Sequence, residues 1–195
     1  MAHFKQNTDK NLIFHGNSLF NYGNNNLAFG NSISNYVRDN LFNKKAVFDY
    51  SLGGKTTTQI VSEFPTRIAP YFRANDVYIF WDVVNDLNTG KTVAQTLASS
   101  KTLATLAKAQ GYKVYTLTSI NINNTIVEPL RIQYNTSLLA DTSFWDGVID
   151  LTTISVLNNT NSYQNTTYYN ADGTHLTTAG YNLIGQKILD SVNFN

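Results

Sequence analysis

Three residues from two distant segments of the sequence have the chemistry of a nucleophilic triad: Ser18, Asp172 and His175. A serine hydroxyl is a weak nucleophile at neutral pH unless an imidazole accepts its proton, and a carboxylate on the other ring nitrogen fixes the tautomer and stabilises the imidazolium. The serine lies in a Gly-Asn-Ser-Leu segment, 16–19, and the other two lie in an Asp-Gly-Thr-His-Leu segment, 172–176. These residue types predict acyl transfer, provided that the fold brings the two segments together.

Short apolar runs alternate along the chain with longer segments of helical periodicity, a pattern typical of repeated strand-helix units around a parallel sheet. Predicted strands lie at 11–15, 46–50, 76–81, 113–118 and 147–151. Predicted helices lie at 28–42, 57–71, 92–110, 127–139 and 177–192. The fold class indicated by this order is α/β.

The reactive candidates follow the ends of these predicted strands. Ser18 comes after the first strand, Gly54 after the second, Asn85 after the third, and Asp172 and His175 after the fifth. Because ligands of an open parallel sheet bind beyond the carboxyl ends of its strands, all five residues are expected at one rim. The irregular segment 157–170, rich in Asn, Thr, Tyr and Ser, precedes Asp172, and loops of that length are usually functional or mobile.

Length and composition limit the classes of partner. A chain of 195 residues fits one domain, 1–195, with a flexible tail expected at 1–10. A net charge of +1 with 14% charged residues predicts neither a nucleic-acid nor a membrane partner. No apolar run approaches the ~18 residues of a membrane span and no signal peptide is visible, so a soluble protein is expected. An extracellular or virion-associated location and the oligomeric state are left open.

The absence of cysteine excludes disulfides, thiolate catalysis and cysteine-ligated metal centres. The three histidines do not have metal-ligand spacing, so no metal is predicted. His15 is expected to be a structural residue at a strand end, and His3 to lie in the tail. Residues 53–56 are similar to the end of a phosphate-binding loop, but position 49 is Asp where that loop requires glycine, which argues against nucleotide binding.

Four segments, in order, resemble the signature blocks of the SGNH hydrolases, also called GDSL esterases/lipases: 16–19, 49–57, 81–87 and 172–176. The resemblance covers most of the chain. It implies a flavodoxin-like three-layer α/β/α sandwich with a five-stranded parallel sheet, and ester hydrolysis without a cofactor. It also implies that Ser18, Asp172 and His175 form the triad. The implied oxyanion hole consists of the backbone amides of Ser18 and Gly54 and the side-chain amide of Asn85.

Two positions depart from the family pattern. Asn17 stands where the family usually has aspartate, and we expect the loop geometry to survive because that aspartate is not in the triad. Val83 replaces a glycine close to the predicted oxyanion donor, which affects the position of Asn85 or the shape of the acyl pocket. The candidate substrate contacts are Asn17, Lys55, Val83, Tyr168 and Tyr169.

The substrate is expected to be a small-molecule or glycan ester. The polar segment before Asp172 and the lack of a long apolar lid favour a short acyl group on a hydrophilic carrier, hence an O-acetyl esterase acting on carbohydrate. One alternative is a weakly active or inactive carbohydrate-binding or structural module of a larger assembly, such as a viral one. A further alternative is a lipase or thioesterase.

Overall fold

The computed structural model describes residues 10–21, 32–41 and 46–194. Five strands form one sheet in the order β2-β1-β3-β4-β5. Their bounds are Leu12–Gly16 (β1), Val47–Asp49 (β2), Val77–Trp81 (β3), Lys113–Leu117 (β4) and Gly147–Ile149 (β5). Every neighbouring pair is parallel, which confirms the predicted α/β class and five-stranded sheet.

The helices cover the sheet on both sides. Their bounds are Ser18–Asn21 (α1), Ile33–Asn40 (α2), Thr57–Arg67 (α3), Val83–Asn88 (α4), Val93–Ala109 (α5), Glu128–Ala140 (α6), Ser155–Asn158 (α7) and Thr178–Ser191 (α8). Helix α2 packs against α8, while α5 packs against both α3 and α6. Two single-turn 3-10 helices lie at Leu151–Thr153 and Ser162–Gln164.

The two central strands explain why the sheet needs cover on both faces. All residues of β1 (Leu-Ile-Phe-His-Gly) and of β3 (Val-Tyr-Ile-Phe-Trp) are buried. Continuous apolar runs of this kind are typical of parallel strands that have helices above and below them. The order of the sheet places β1 between β2 and β3, so the chain changes direction of winding at β1. The carboxyl end of β1 is therefore a topological switch point, where open α/β sheets bind ligands.

The predicted helices at 57–71, 92–110, 127–139 and 177–192 are confirmed with ends shifted by a few residues. Of the helix predicted at 28–42, the structure describes Ile33–Asn40, and 28–31 and 42 lie outside the described residues. The tail predicted at 1–10 also lies outside them, apart from Lys10.

Hydropathy patterns missed the short elements. Helices α1, α4 and α7 have four, six and four residues, which is too few turns to produce a recognisable apolar period. The segment predicted as irregular, 157–170, contains the end of α7, a 3-10 turn and a bridge between Tyr169 and Leu176. No helix in the described residues is long and apolar enough to cross a bilayer.

Candidate active site

The predicted triad residues meet at the rim, although the serine and the histidine are 157 positions apart in the sequence. The Ser18 hydroxyl, at the start of α1, lies 2.9 Å from His175 Nε2. The other ring nitrogen, Nδ1, lies 2.6 Å from Asp172 Oδ2. With the proton of neutral His175 on Nδ1, Nε2 can accept the serine proton while the carboxylate holds the ring. This arrangement can activate Ser18 as a nucleophile.

The carboxylate of Asp172 is also bound by its own turn. Its Oδ1 accepts the backbone N–H groups of Thr174 and His175, each at 2.9 Å. Partial burial raises the pKa of Asp172, but the hydrogen bonds from the His175 ring and from the two amides outweigh it and hold the pKa below its usual value. Asp172 is therefore ionised at neutral pH, as an orienting carboxylate must be.

Glycine is required within this turn. Gly173 has a φ of +62°, and a Cβ at that position would lie 2.7 Å from the Cβ of Asn123. The Gly173 carbonyl accepts the Asn123 N–H at 2.8 Å, so the turn rests on the loop that follows β4. Only a residue without a side chain permits this conformation and contact together.

Asn170 fixes the same turn and was missed by the sequence reasoning. Its backbone N–H donates to the His175 carbonyl at 2.8 Å, and its side-chain amide donates to the Leu176 carbonyl at 2.9 Å. Its own carbonyl accepts the Gly173 N–H at 2.9 Å. The only signal in the sequence was its position in the polar segment just before Asp172, where asparagine is an ordinary loop residue.

Asn17 positions the nucleophile from the interior. Its Oδ1 accepts the Leu19 N–H at 3.0 Å, which caps α1, and its Nδ2 donates to the Asp82 carbonyl at 3.3 Å. The side chain is buried. The amide thus connects the serine loop to the end of β3.

The predicted oxyanion donors lie in the loops after β1, β2 and β3. In the described part of the chain, the backbone N–H groups of Ser18 and Gly54 have no hydrogen-bond partner. Asn85, on α4, donates one amide hydrogen to the Lys55 carbonyl at 2.8 Å and retains a second. Unpaired donors of this kind at a nucleophile are what a developing oxyanion requires. Their role remains a prediction.

Glycine at position 54 is explained by its backbone conformation. A Cβ on Gly54 would meet no atom within 4 Å, so no neighbouring residue excludes a side chain at this position. Instead Gly54 has a φ of +75° in a turn closed by the Lys55 N–H and the Leu52 carbonyl. The neighbour that approaches the nucleophile is Gly53, whose Cβ would lie 3.9 Å from the Ser18 Cβ.

Buried charge holds α4 and α3 in place beneath these donors. Asp86, fully buried, accepts the backbone N–H and the hydroxyl of Thr57 at 2.7 and 2.9 Å, and it forms an ion pair with Lys91 at 2.7 Å. Thr57 is the first residue of α3. The residue after Asn85 thus fixes the start of the helix that follows the Gly-Gly turn.

Several candidate substrate contacts have other roles. Val83 and Tyr169 are each only 1% exposed, so they offer a substrate no side-chain surface here, and the same holds for the fully buried Asn17. The Tyr169 hydroxyl, which has one hydrogen to donate, lies 2.9 Å from the Asn121 carbonyl and 3.0 Å from the Leu157 carbonyl. Tyr168 is half-buried against the core. Lys55 forms an ion pair with Glu63, so its charge is already partnered.

His15 has the structural environment that was expected. Its ring is buried and its Nδ1 forms a 2.7 Å hydrogen bond with the Tyr78 hydroxyl. Burial, helped by nearby Arg67, lowers the pKa of His15 to about 3, so the ring is neutral. It therefore stands apart from the proton transfer at Ser18.

No family model matches the sequence, and no curated protein matches it. The fold is similar to solved structures. A member of the lipolytic G-D-S-L family from Veillonella parvula has a TM-score of 0.78 at 15% identity, over 93% of this chain and 97% of that one. The psychrotrophic esterase EstA from Pseudoalteromonas sp. has a TM-score of 0.72 at 13% identity, over 94% of this chain and 96% of that one.

A lipase/acylhydrolase from Enterococcus faecalis gives a TM-score of 0.70 at 17% identity, over 93% of this chain and 94% of that one. At such identities the likeness concerns the fold, and it extends over nearly the whole length of each chain. Together with the sheet order and the rim geometry, it identifies the fold of this chain as that of the SGNH/GDSL hydrolases.

Proposed function

We propose that the protein is a serine hydrolase of carboxylic esters that works through an acyl-serine intermediate. The observation that carries the proposal is the continuous connection from the Ser18 hydroxyl through both nitrogens of His175 to Asp172, with distances of 2.9 and 2.6 Å. Such a connection is the requirement for activating a serine.

The reaction follows from the positions of these groups. Ser18 Oγ bonds to the ester carbonyl carbon while its proton passes to His175 Nε2, and Asp172 stabilises the imidazolium. The charge on the carbonyl oxygen is stabilised by the Ser18 and Gly54 amides and the second amide hydrogen of Asn85. His175 returns the proton to the departing alcohol, and then takes a proton from the water that releases the acid.

We propose short acyl groups on carbohydrate as the substrate. The segment 157–170 leads into the triad turn, and its exposed side chains are those of Asn, Thr and Gln, which suits a hydroxyl-rich carrier. The similar structures are described as lipases, esterases and acylhydrolases, so a longer acyl chain is the alternative. A series of nitrophenyl esters distinguishes them, because a preference for octanoate over acetate would contradict the short-chain proposal.

The decisive experiment is turnover of p-nitrophenyl acetate by the protein and its Ser18→Ala variant. We expect Ser18→Ala to lose nearly all activity. Ser62→Ala is the control, since Ser62 is an exposed serine on α3 whose hydroxyl donates to the Gln59 carbonyl of the same helix. A fluorophosphonate provides a second readout: Ser18 Oγ bonds to phosphorus, fluoride leaves and the proton passes to His175. The Pseudoalteromonas esterase is described as inhibited by monoethylphosphonate, which makes phosphonates a reasonable probe.

The other candidate is a carbohydrate-binding module without activity. It predicts glycan binding with no Ser18-dependent adduct. An adduct that disappears in Ser18→Ala would exclude it, and full turnover by Ser18→Ala would overturn the hydrolase proposal.

A further inference from the structure

Two adjoining cavities lie along α6, and together we call them the α6 groove. The first, of about 230 Å³, lies between segments 121–125 and 160–163 at the start of the helix. The second, of about 340 Å³, continues beside residues 152 and 158–160. Glu128 and Thr160 line both cavities, so the two form one groove.

The groove shares a wall with the triad turn. Tyr163 lines the first cavity, and its ring carbon Cδ2 would lie 3.2 Å from a Cβ on Gly173, the residue that follows Asp172. Asn123, which donates to the Gly173 carbonyl at 2.8 Å, lies between two other lining residues, Ile122 and Asn124. A chain-like ligand in the groove would thus lie next to the turn that carries the catalytic histidine.

The polar groups of the groove are amides and hydroxyls available to a ligand. Thr125, Asn159, Thr160 and Asn161 are exposed, and their side chains make no hydrogen bond to any other residue that the structure describes. An amide both donates and accepts, as does a hydroxyl, so these groups match the hydroxyls of a sugar, which do the same.

The charges of the groove are already neutralised. Arg131, 4% exposed, binds the Glu128 carboxylate through two hydrogen bonds of 2.7 Å each. Its remaining donors reach the Ser119 carbonyl and the Asn158 side chain at 3.0 and 2.6 Å. Among the described residues that line the groove, no cation is left free for a phosphate or sulfate, so the groove favours an uncharged ligand.

Apolar surface lies beside the polar groups. Pro129 and Tyr163 line the first cavity, and Ile132 and Leu139, which are 53% and 38% exposed, line the second. Binding sites for organic ligands generally combine such apolar walls with a few polar groups that fix orientation. The carbon-bound faces of sugar rings suit these walls.

We propose that the α6 groove binds uncharged sugar units of a polysaccharide, next to the acylated unit that Ser18 attacks. The catalytic part of this inference rests on the hydrolase function proposed above, but binding by the groove does not require turnover. The two can therefore fail separately.

The binding test uses cellohexaose, xylohexaose and mannohexaose, without acyl groups, added to the full chain carrying Ser18→Ala. We expect at least one hexamer to shift the amide NMR signals of Thr125, Thr160 and their neighbours. Thr160→Trp, which fills the junction of the two cavities, should abolish the shift, and Thr102→Trp on the exposed face of α5 should not. No shift with any hexamer, or equal shifts in both tryptophan variants, overturns the inference.

The kinetic test compares acetylated xylan with p-nitrophenyl acetate. Thr160→Trp should lower kcat/KM for the polymer about tenfold or more and change that for the small ester less than about twofold. If that variant misfolds by circular dichroism, the double variant Asn159→Ala with Thr160→Ala replaces it, with the same expectation. Equal changes in kcat/KM for the two esters would overturn the proposal that the α6 groove binds the polymer.

The outcomes separate the two proposals. Hexamer binding in the groove of a protein that forms no phosphonate adduct would refute the hydrolase function and support the groove. Hydrolysis of p-nitrophenyl acetate without binding of any hexamer would support the hydrolase and refute the groove. Preferential binding of heparin or of a peptide in the groove would also refute it.

Discussion

The side-chain amide of Asn17 donates a hydrogen bond to the backbone carbonyl of Asp82 at 3.3 Å, joining the loop before the nucleophile to the residue that begins the α4 region. The same side chain caps α1 through the Leu19 N–H. One buried amide therefore sets the position of the serine relative to the helix that carries Asn85.

We expect Asn17→Asp to reduce stability and activity, and Asn17→Ala to reduce both further. Aspartate keeps the acceptor for the Leu19 N–H but, when ionised, loses the donor to Asp82, whereas alanine loses both. Leaving buried groups unpaired costs about 1–3 kcal/mol, so Asn17→Ala should lower the free energy of unfolding by that amount. Chemical denaturation and esterase assays measure both effects. Asn40→Ala is the control, because Asn40 is exposed at the end of α2, where its side-chain amide donates to the Tyr36 carbonyl of the same helix. An Asn17→Ala variant as stable as this control would contradict the prediction.

Asp172→Asn should lower kcat by about 10²–10⁴ while the fold is retained. The new side-chain oxygen can still accept the Thr174 and His175 amides, but its NH₂ group would face His175 Nδ1. That contact favours the tautomer with the proton on Nε2, which cannot accept the Ser18 proton. The measurement is kcat with p-nitrophenyl acetate alongside circular dichroism, and a loss of only a few-fold would show that the carboxylate does not orient the ring.

Asn85→Ala should lower kcat by about 10²–10³ with little change in KM, because an oxyanion donor acts mainly in the transition state. Asn88→Ala serves as the control, since Asn88 is exposed at the end of the same helix, where its side-chain oxygen accepts a hydrogen bond from Asn124. Steady-state kinetics distinguish the two variants. Similar small decreases in kcat in both variants would contradict the assignment of Asn85 to the oxyanion hole.

Gly173→Ala and Gly90→Ala form a matched pair. Both glycines have positive φ, +62° and +87°, so each alanine pays a conformational cost of about 1–2 kcal/mol. Only at Gly173 would the Cβ collide, at 2.7 Å from Asn123, while Gly90 has open space. We expect both variants to lower Tm, but only Gly173→Ala to displace His175 and reduce kcat, by about 10²-fold. Equal kcat values in the two variants would contradict this.

Asp82→Asn should make stability less dependent on pH. Burial, with a contribution from Asp86, raises the pKa of Asp82 from 3.8 to about 7. Asp82 therefore binds a proton more tightly in the folded state than in the unfolded state. The stability that protonated Asp82 contributes is fully present below pH 3.8 and is lost as the pH rises through about 7. Asparagine resembles the protonated acid and can still accept the Ser100 hydroxyl, which lies 3.1 Å from Asp82 Oδ2.

The measurement for Asp82 is the difference in Tm between variant and parent from pH 4 to pH 8. This difference should grow in favour of Asp82→Asn as the pH rises. His15 has a pKa lowered to about 3 and contributes the opposite dependence below pH 6.5, but it does so equally in both proteins and cancels in the difference. A constant difference across the range would show that Asp82 titrates normally.

Much of the fold was accessible from the sequence because its elements are periodic. The buried runs of β1 and β3 and the long helices α5 and α8 each extend over enough residues to give a recognisable pattern. The short helices α1, α4 and α7 have too few turns to give such a pattern. Helix α1 is capped by the Asn17 side chain, a contact that hydropathy does not record.

The sequence by itself determined which groups are available for chemistry: a serine, a histidine and a carboxylate at the ends of strands that had to be parallel. Only the tertiary structure decided the distances among them, because the pairing of five strands brings Ser18 and His175 together although they are 157 positions apart in the sequence. It also decided that Asn17, Val83 and Tyr169 are interior residues and that Asn170 supports the triad turn. Burial and hydrogen bonding depend on what packs around a residue, and that information is distributed over the whole chain.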